Sequence, residues 1–196
     1  MLISPTYKSQ QEALHETGTY GTASIQYAPL VTQIINRLKV THLLDYGCGS
    51  LLNLYKHIKP EHKLTYQAYD PGTAQYADPP VPAQMVACID VLEHIEPDYL
   101  ESVLNDLARL TEVILFCTIH TGPAVKVLSD GRNAHLTQQP MEWWLPKLGS
   151  RFTVLEVHET REEFAVVVAR RGLKARLVAW LSAVLSRSLT TIARSR

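Results

Sequence analysis

"LLDYGCGS", residues 43–50, is the stretch from which the fold is read. An apolar run stops at Asp45, and Gly47 and Gly49 follow at alternate positions. "THLLDYG" reads as a short buried strand ending at Asp45 or Tyr46. Glycine belongs where the backbone turns sharply or a ligand comes very close. "LLNLYKHI" then sets Leu51, Leu54, Tyr55 and Ile58 on one helical side. Strand, glycine turn and helix is the geometry that brings a nucleotide-like ligand to a helix N-terminus. By itself the motif serves a simple turn equally well.

The flanking sequence repeats the alternation. "PLVTQIINRL" starts a helix near Pro29, with Leu30, Ile34, Ile35 and Leu38 at helical spacing. "KLTYQAYD" is a strand ending at Asp70, and "QMVACID" is a strand ending at Asp90. "PDYLESVLNDLARL" is an amphipathic helix, with Leu100, Val103, Leu104, Leu107 and Leu110 on its apolar side. "TEVILFCT" is another buried strand. A loop from Ile119 to Gln139, the short helix "PMEWWLPKL" and a hairpin of "RFTVLEVHE" and "EFAVVVAR" complete the body. Strands alternating with helices imply an α/β fold, a doubly wound and mostly parallel sheet closed by an antiparallel hairpin. Ligands of such sheets bind at the carboxyl ends of the strands. Asp45, Asp70 and Asp90 all fall on that edge, and Asp70 stands where an acid can take both ribose hydroxyls. Asp70 before Pro71 is as good a turn residue.

Composition bounds the rest. A chain of 196 residues, 46% of them apolar, forms one domain with a real core. We expect a lead-in segment over 1–24, the domain over 25–170 and a basic tail over 171–196. Cys48, Cys88 and Cys117 lie in or beside apolar runs, at no zinc spacing, and read as reduced packing residues. No apolar leader and no run of 18 apolar residues is present, so the expected location is cytoplasmic. Net charge is zero, yet no acidic residue follows Glu163. Seven of the 19 Lys and Arg lie from Arg170 onward, leaving 12 against 19 acidic residues in 1–169. The acidic body argues against nucleic acid as a partner. The tail sets Leu177, Trp180, Leu181 and Val184 on one face among basic residues. Such a helix can lie peripherally on the inner membrane face, or pack on the body or a partner.

"LLDYGCG", "AYDP" and "CIDVLEHIEP", in this order and spacing, resemble the motifs of the class I S-adenosylmethionine-dependent methyltransferases. The resemblance covers about residues 25 to 170 and implies S-adenosylmethionine as cofactor. It sets the methionine end over Asp45, Gly47 and Gly49, the ribose against Asp70, and the adenine or the methyl-transfer cleft near Cys88 to Asp90 and Val91. Two departures stand out. Ser50 and Leu51 replace the usual third glycine, and only about fourteen residues separate Asp70 from the next strand.

Methyl transfer from a sulfonium is an in-line displacement, and an oxygen acceptor must also lose a proton. His94 and His120 follow strands on the cleft edge, and either is a candidate base. The loop after His120 offers Lys126, Arg132, Asn133 and His135 near Trp143 and Trp144, as a lid over a polar acceptor. The implied activity is O-methylation of a small polar molecule or a glycan. A rival reading uses a metal. Asp90, Glu93, His94 and His135 have a spacing similar to that of metal-dependent small-RNA ribose 2'-O-methyltransferases, which carry Glu at the first position.

Overall fold

A computed structural model describes residues 2–16 and 22–192, with side chains of the last helix described to residue 185. In chain order the elements are α1 (Pro5–Glu16), α2 (Ser24–Leu38), β1 (His42–Tyr46), α3 (Asn53–His57), β2 (Thr65–Tyr69), β3 (Ala83–Ile89), α4 (Pro97–Leu110), β4 (Thr111–His120), α5 (Met141–Gly149), β5 (Phe152–Glu159), β6 (Glu163–Arg170) and α6 (Ala175–Ile192). One six-stranded sheet runs in the order β2-β1-β3-β4-β6-β5. The first four strands are parallel, and β6 enters antiparallel to both β4 and β5.

Side chains alternate across the sheet as the pleat requires. Leu44, Val86, Cys88, Leu115 and Cys117 point to one face, under α4 and Trp144. Leu43, Met85, Ala87, Ile114 and Phe116 point to the other, under α2 and part of α6. Both faces are therefore dry, which is why these strands read as unbroken apolar runs. α4 buries the five residues its periodicity predicted, with Pro97 in its first turn. All three cysteines are free and buried. Among the described residues no helix is long and apolar enough to cross a membrane.

Five expectations need correction. The stretch over 1–24, expected only as a lead-in segment, contains a helix: residues 5–16 form α1, while 17–21 lie outside the described residues. Ser4 Oγ accepts from the Tyr7 N–H as an N-cap, and Pro5 occupies the first helical position. Tyr7 and Ile3 pack against Leu128 and Ala134. Helix α2 starts at Ser24, so Pro29 lies inside it. The carbonyl that Pro29 cannot satisfy belongs to Ile25, an exposed residue. Helix α3 is only five residues long, because Leu52 takes a left-handed φ of 50° just before it. Tyr55 is consequently exposed, not part of an apolar side. Helix α6 buries Leu181 and Leu185 against the body, whereas Leu177 and Trp180 stay exposed. The four residues expected on one face of the tail are thus divided, and positions from 193 on lie outside the described residues. Lastly, β4 runs on to His120, so the loop does not start at Ile119; within it Val127 bridges Asn133, and Gly131 takes a φ of +87°.

Candidate functional site

The cleft opens at the carboxyl ends of β1, β2 and β3, and α1 lies across it. Its wall contains Asp45, Gly47, Gly49, Asp70 and Asp90, together with His94. Each reaches the cleft by the strand-end geometry read from the sequence.

The glycine turn is held from both sides. The Gly47 and Cys48 N–H groups donate to the Tyr69 carbonyl at 2.8 and 3.1 Å. The Gly49 N–H donates to Asp70 Oδ2 at 2.9 Å, and the Gly72 N–H to Asp70 Oδ1 at 2.8 Å. Gly47 has a φ of +80°, and a Cβ there would sit 2.4 Å from Val91 Cγ2. No other residue fits that position. The short α3 offers no helix N-terminus worth the name, so the turn's own N–H groups carry the local structure.

Three acids share this cleft without a Lys or Arg among the described residues that line it. Asp45 is buried and accepts a hydrogen bond from the Tyr66 hydroxyl. Burial raises its pKa from 3.8 to about 7; the Tyr66 bond opposes this, and the Asp70 charge adds to it. Burial also raises Asp70, against His15 and the two glycine N–H groups. His15 Nε2, on α1, stands 3.7 Å from Asp70 Oδ2. Gln11, on the same helix, is so near that a Cβ on Gly72 would meet it at 2.8 Å.

The far end of the cleft is built of imidazoles and carboxylates. Asp90 adopts a left-handed φ of 60°, a conformation Asp tolerates better than most residues. Its N–H is held by the Thr118 carbonyl at 3.3 Å and the Thr118 hydroxyl at 3.0 Å. His94 Nδ1 is 2.8 Å from the Ala134 carbonyl, and His135 Nδ1 is 2.7 Å from the Gly122 carbonyl. A carbonyl only accepts, so both Nδ1 atoms carry the proton and both Nε2 atoms keep a lone pair. Burial lowers the pKa of His94 to about 4, against the Asp90 charge, and burial lowers that of His135. Both are neutral at pH 7. His120 is the reverse case. The Gly122 N–H donates to its Nδ1 at 3.2 Å, so its Nε2 bears the proton. The His135 ring contacts both others, 4.7 Å from His94 and 5.0 Å from His120 between centroids.

Of the four loop residues proposed for the acceptor, only His135 joins this group. Asn133 is used by the loop itself: its Oδ1 accepts from the Ala124 and His135 N–H groups and its Nδ2 donates to the Ala124 carbonyl. Arg132 pairs with Asp130 at 2.7 Å, at the surface. The Lys126 carbonyl accepts from the Ala134 N–H, which pins the loop's backbone. Trp144 is fully buried core, and Lys147 covers the Trp143 ring. Glu93, one member of the metal-like set, is buried and accepts the His120 N–H through Oε1. Sequence reasoning missed Tyr66, Gln11 and His15. The only available signal was the Ser4–Pro5 helix start, which would have placed Gln11 and His15 on one helix.

No family profile and no curated protein matches the chain. Solved structures do. The complex of DhpI with S-adenosylhomocysteine superposes with a TM-score of 0.56 at 15% identity, covering 86% of this chain and 98% of that one. A Burkholderia thailandensis 1,6-didemethyltoxoflavin-N1-methyltransferase gives 0.57 at 13%, covering 87% and 92%. The magnesium protoporphyrin IX methyltransferase of Synechocystis gives 0.53 at 13%, covering 84% and 97%. The chain has the class I methyltransferase fold. Some proteins of this fold are longer: the chain spans 57% of the length of TnmH. Within the methyltransferase fold, this chain replaces the helix between β2 and β3 by a single 3-10 turn at Ala74–Tyr76.

Proposed function

We propose that the protein is an S-adenosylmethionine-dependent methyltransferase that methylates an oxygen of a small polar molecule or a glycan. One observation carries the cofactor assignment. The cleft holds Asp45, Asp70 and Asp90, and among the described residues neither Lys nor Arg lines it. S-adenosylmethionine brings a sulfonium and an ammonium, and so supplies the positive charge that this cleft lacks. A dinucleotide brings a pyrophosphate, which needs free N–H donors or cations. Here the N–H groups of Gly47, Cys48 and Gly49 are already committed to Tyr69 and Asp70. The bound cofactor in three of the structurally similar proteins agrees with this reading.

In this assignment Asp70 takes the ribose hydroxyls, and Asp45 with the Gly47–Gly49 turn takes the methionine end. Asp90 stands at the passage toward the acceptor. When bound, the cofactor supplies an already activated methyl group. The acceptor oxygen forms the new bond to carbon, the sulfur–carbon bond breaks, and sulfur keeps the electron pair. The acceptor's proton must also leave. In this reading His94 or His135, each with Nδ1 against a backbone carbonyl, is the base that takes it. His120, with its proton on Nε2, is suited to donate a hydrogen bond to the acceptor. The carbonyl-fixed tautomers therefore divide the histidines into acceptors and a donor.

The exposed Leu177 and Trp180 on α6, with Arg176 beside them, support a peripheral contact with an anionic membrane surface. A lipid-linked glycan is a natural acceptor for a protein so placed. The direct test is transfer of label from [methyl-³H]S-adenosylmethionine into extract fractions of small molecules, lipid-linked glycans, protein and RNA, with Asp70→Ala as control. Label in the first two fractions, lost in the variant, is the expected result. Label in RNA alone would overturn the acceptor assignment.

A further inference from the structure

Helix α1 brings into the cleft one amide whose Nε2 has no partner among the described residues. Gln11 lines the cleft and is only 8% exposed. Its Nε2 is buried and donates to no acceptor. The point that a Cβ on Gly72 would occupy lies 2.8 Å from Gln11 Cβ and 3.3 Å from Asp70 Oδ1. The Gln11 side chain and the Asp70 carboxylate therefore border the same glycine. In the methyltransferase reading, on which this role rests, we propose that Gln11 is a cofactor-binding residue. Its amide N–H donates to the oxygen of one ribose hydroxyl, while that hydroxyl's own proton goes to Asp70.

Three features point to a ligand rather than to packing. First, a buried donor without an acceptor costs the fold stability, and proteins seldom leave one so. Second, the backbone donors around Asp70 are spent. The Gly49 and Gly72 N–H groups lie on its two carboxylate oxygens, and those of Gly47 and Cys48 lie on the Tyr69 carbonyl. A hydroxyl has one proton to give and two lone pairs to fill. With its proton on Asp70, a ribose hydroxyl still lacks a donor, and Gln11 Nε2 is the buried one beside that carboxylate. Third, the amide is held in place before any ligand arrives. The Ser4 N–H and hydroxyl donate to the two Glu96 carboxylate oxygens at 2.8 Å each, which fastens the start of α1. Ile3 and Tyr7 pack on Leu128 and Ala134, and Gln10 Nε2 donates to Asp130 Oδ2 at 2.9 Å. Tyr7, Gln11 and His15 follow at four-residue intervals, so one side of the helix faces the cleft. A donor already ordered loses little freedom on binding.

The residue type suits the role. A lysine or arginine at this position would pair with Asp70 and compete with the ribose for it. An amide donates without claiming the carboxylate, whose remaining lone pairs stay open to the hydroxyls. A glutamate would add a further acid to a cleft that already holds three, and once ionised it could not donate. The site thus reads the ribose diol in both directions: Asp70 takes its protons, and Gln11 fills a lone pair. Selectivity for a ribose over a deoxyribose then comes from two residues on separate elements, one after β2 and one on α1.

The test uses the full chain and Gln11→Met, which keeps the length of the side chain and removes the donor. Calorimetry measures S-adenosylhomocysteine and its 2′-deoxy and 3′-deoxy forms, and thermal unfolding is followed on the ligand-free chains. S-adenosylhomocysteine should bind Gln11→Met about fivefold to tenfold more weakly than wild type. That penalty should vanish for the deoxy form that lacks the partner hydroxyl and persist for the other. The ligand-free variant should melt no earlier than wild type, because a buried donor without an acceptor is gone. Gln10→Met, whose side chain bonds to Asp130 instead, should show no such preference among the three ligands. Equal affinity of wild type and Gln11→Met for S-adenosylhomocysteine overturns the role of Gln11 alone. An equal penalty for all three ligands, with earlier melting, also overturns it and leaves the amide a structural part. No binding of S-adenosylhomocysteine by wild type overturns the cofactor reading itself, and the role of Gln11 with it.

Discussion

Asp45→Asn should make the cofactor-free protein more stable and the cofactor weaker to bind. The carboxyl is buried, and its pKa rises from 3.8 to about 7 through burial and the Asp70 charge. Between these two pH values the folded chain holds a proton that the unfolded chain releases. Stability therefore falls as pH rises from about 4 to about 7, and then levels off. The whole effect is about 4 kcal/mol, about half of it between pH 5 and 7. Asparagine keeps an acceptor for the Tyr66 hydroxyl and carries no charge, so it removes that slope. Urea denaturation followed by tryptophan fluorescence at pH 5, 6, 7 and 8 measures it. The variant should gain on wild type by about 2.6 kcal/mol between pH 5 and 8. A bound sulfonium or ammonium favours the ionised carboxyl, so wild-type affinity for S-adenosylhomocysteine, through its ammonium, should rise with pH up to about 7. The variant's affinity should be lower and flat. Parallel stability profiles for the two chains would refute the buried-charge argument.

Other expectations follow from packing. Gly47→Ala drives a Cβ to 2.4 Å from Val91 Cγ2 at a φ of +80°. It should cost about 1–3 kcal/mol, and adding Val91→Ala should recover only the steric part. Trp144→Ala empties a fully buried site and should cost about 3–5 kcal/mol in denaturant, with cofactor affinity unchanged in the folded fraction. A chain ending at Gly172 loses the buried Leu181 and Leu185 and the exposed Trp180. It should melt earlier and sediment less with anionic vesicles; undiminished sedimentation would remove the membrane contact from α6.

The elements that read most plainly are those buried by period. α4 has five buried residues at helical spacing behind Pro97, and no neighbour alters that pattern. The strand ends at Asp45, Asp70 and Asp90 were visible because apolar runs stop there. α1 was hidden because its buried face is narrow: Ile3 and Tyr7 among polar residues, with Ser4–Pro5 as the only boundary mark. α3 was overread because a left-handed Leu52 leaves no trace in hydrophobic spacing. Within the loop, the residue types were right for a polar site, but type does not say which way a side chain is spent. Asn133 turned back to its own backbone, whereas His135 turned to its fellow histidines. Tertiary contacts alone make that distinction.

Helix α1 touches both halves of the site. Gln11 and His15 cover Asp70, while Ile3 and Tyr7 share an apolar cluster with Leu128 and Ala134, and Gln10 bonds to Asp130. Ala134 is also the residue whose carbonyl orients His94. A cofactor cannot displace the helix without loosening the wall that aims the imidazoles. Occupancy at one end thus carries a free-energy consequence at the other, and thermodynamic linkage makes that consequence mutual. The acceptor should hold the spent cofactor in place as firmly as the cofactor holds the acceptor.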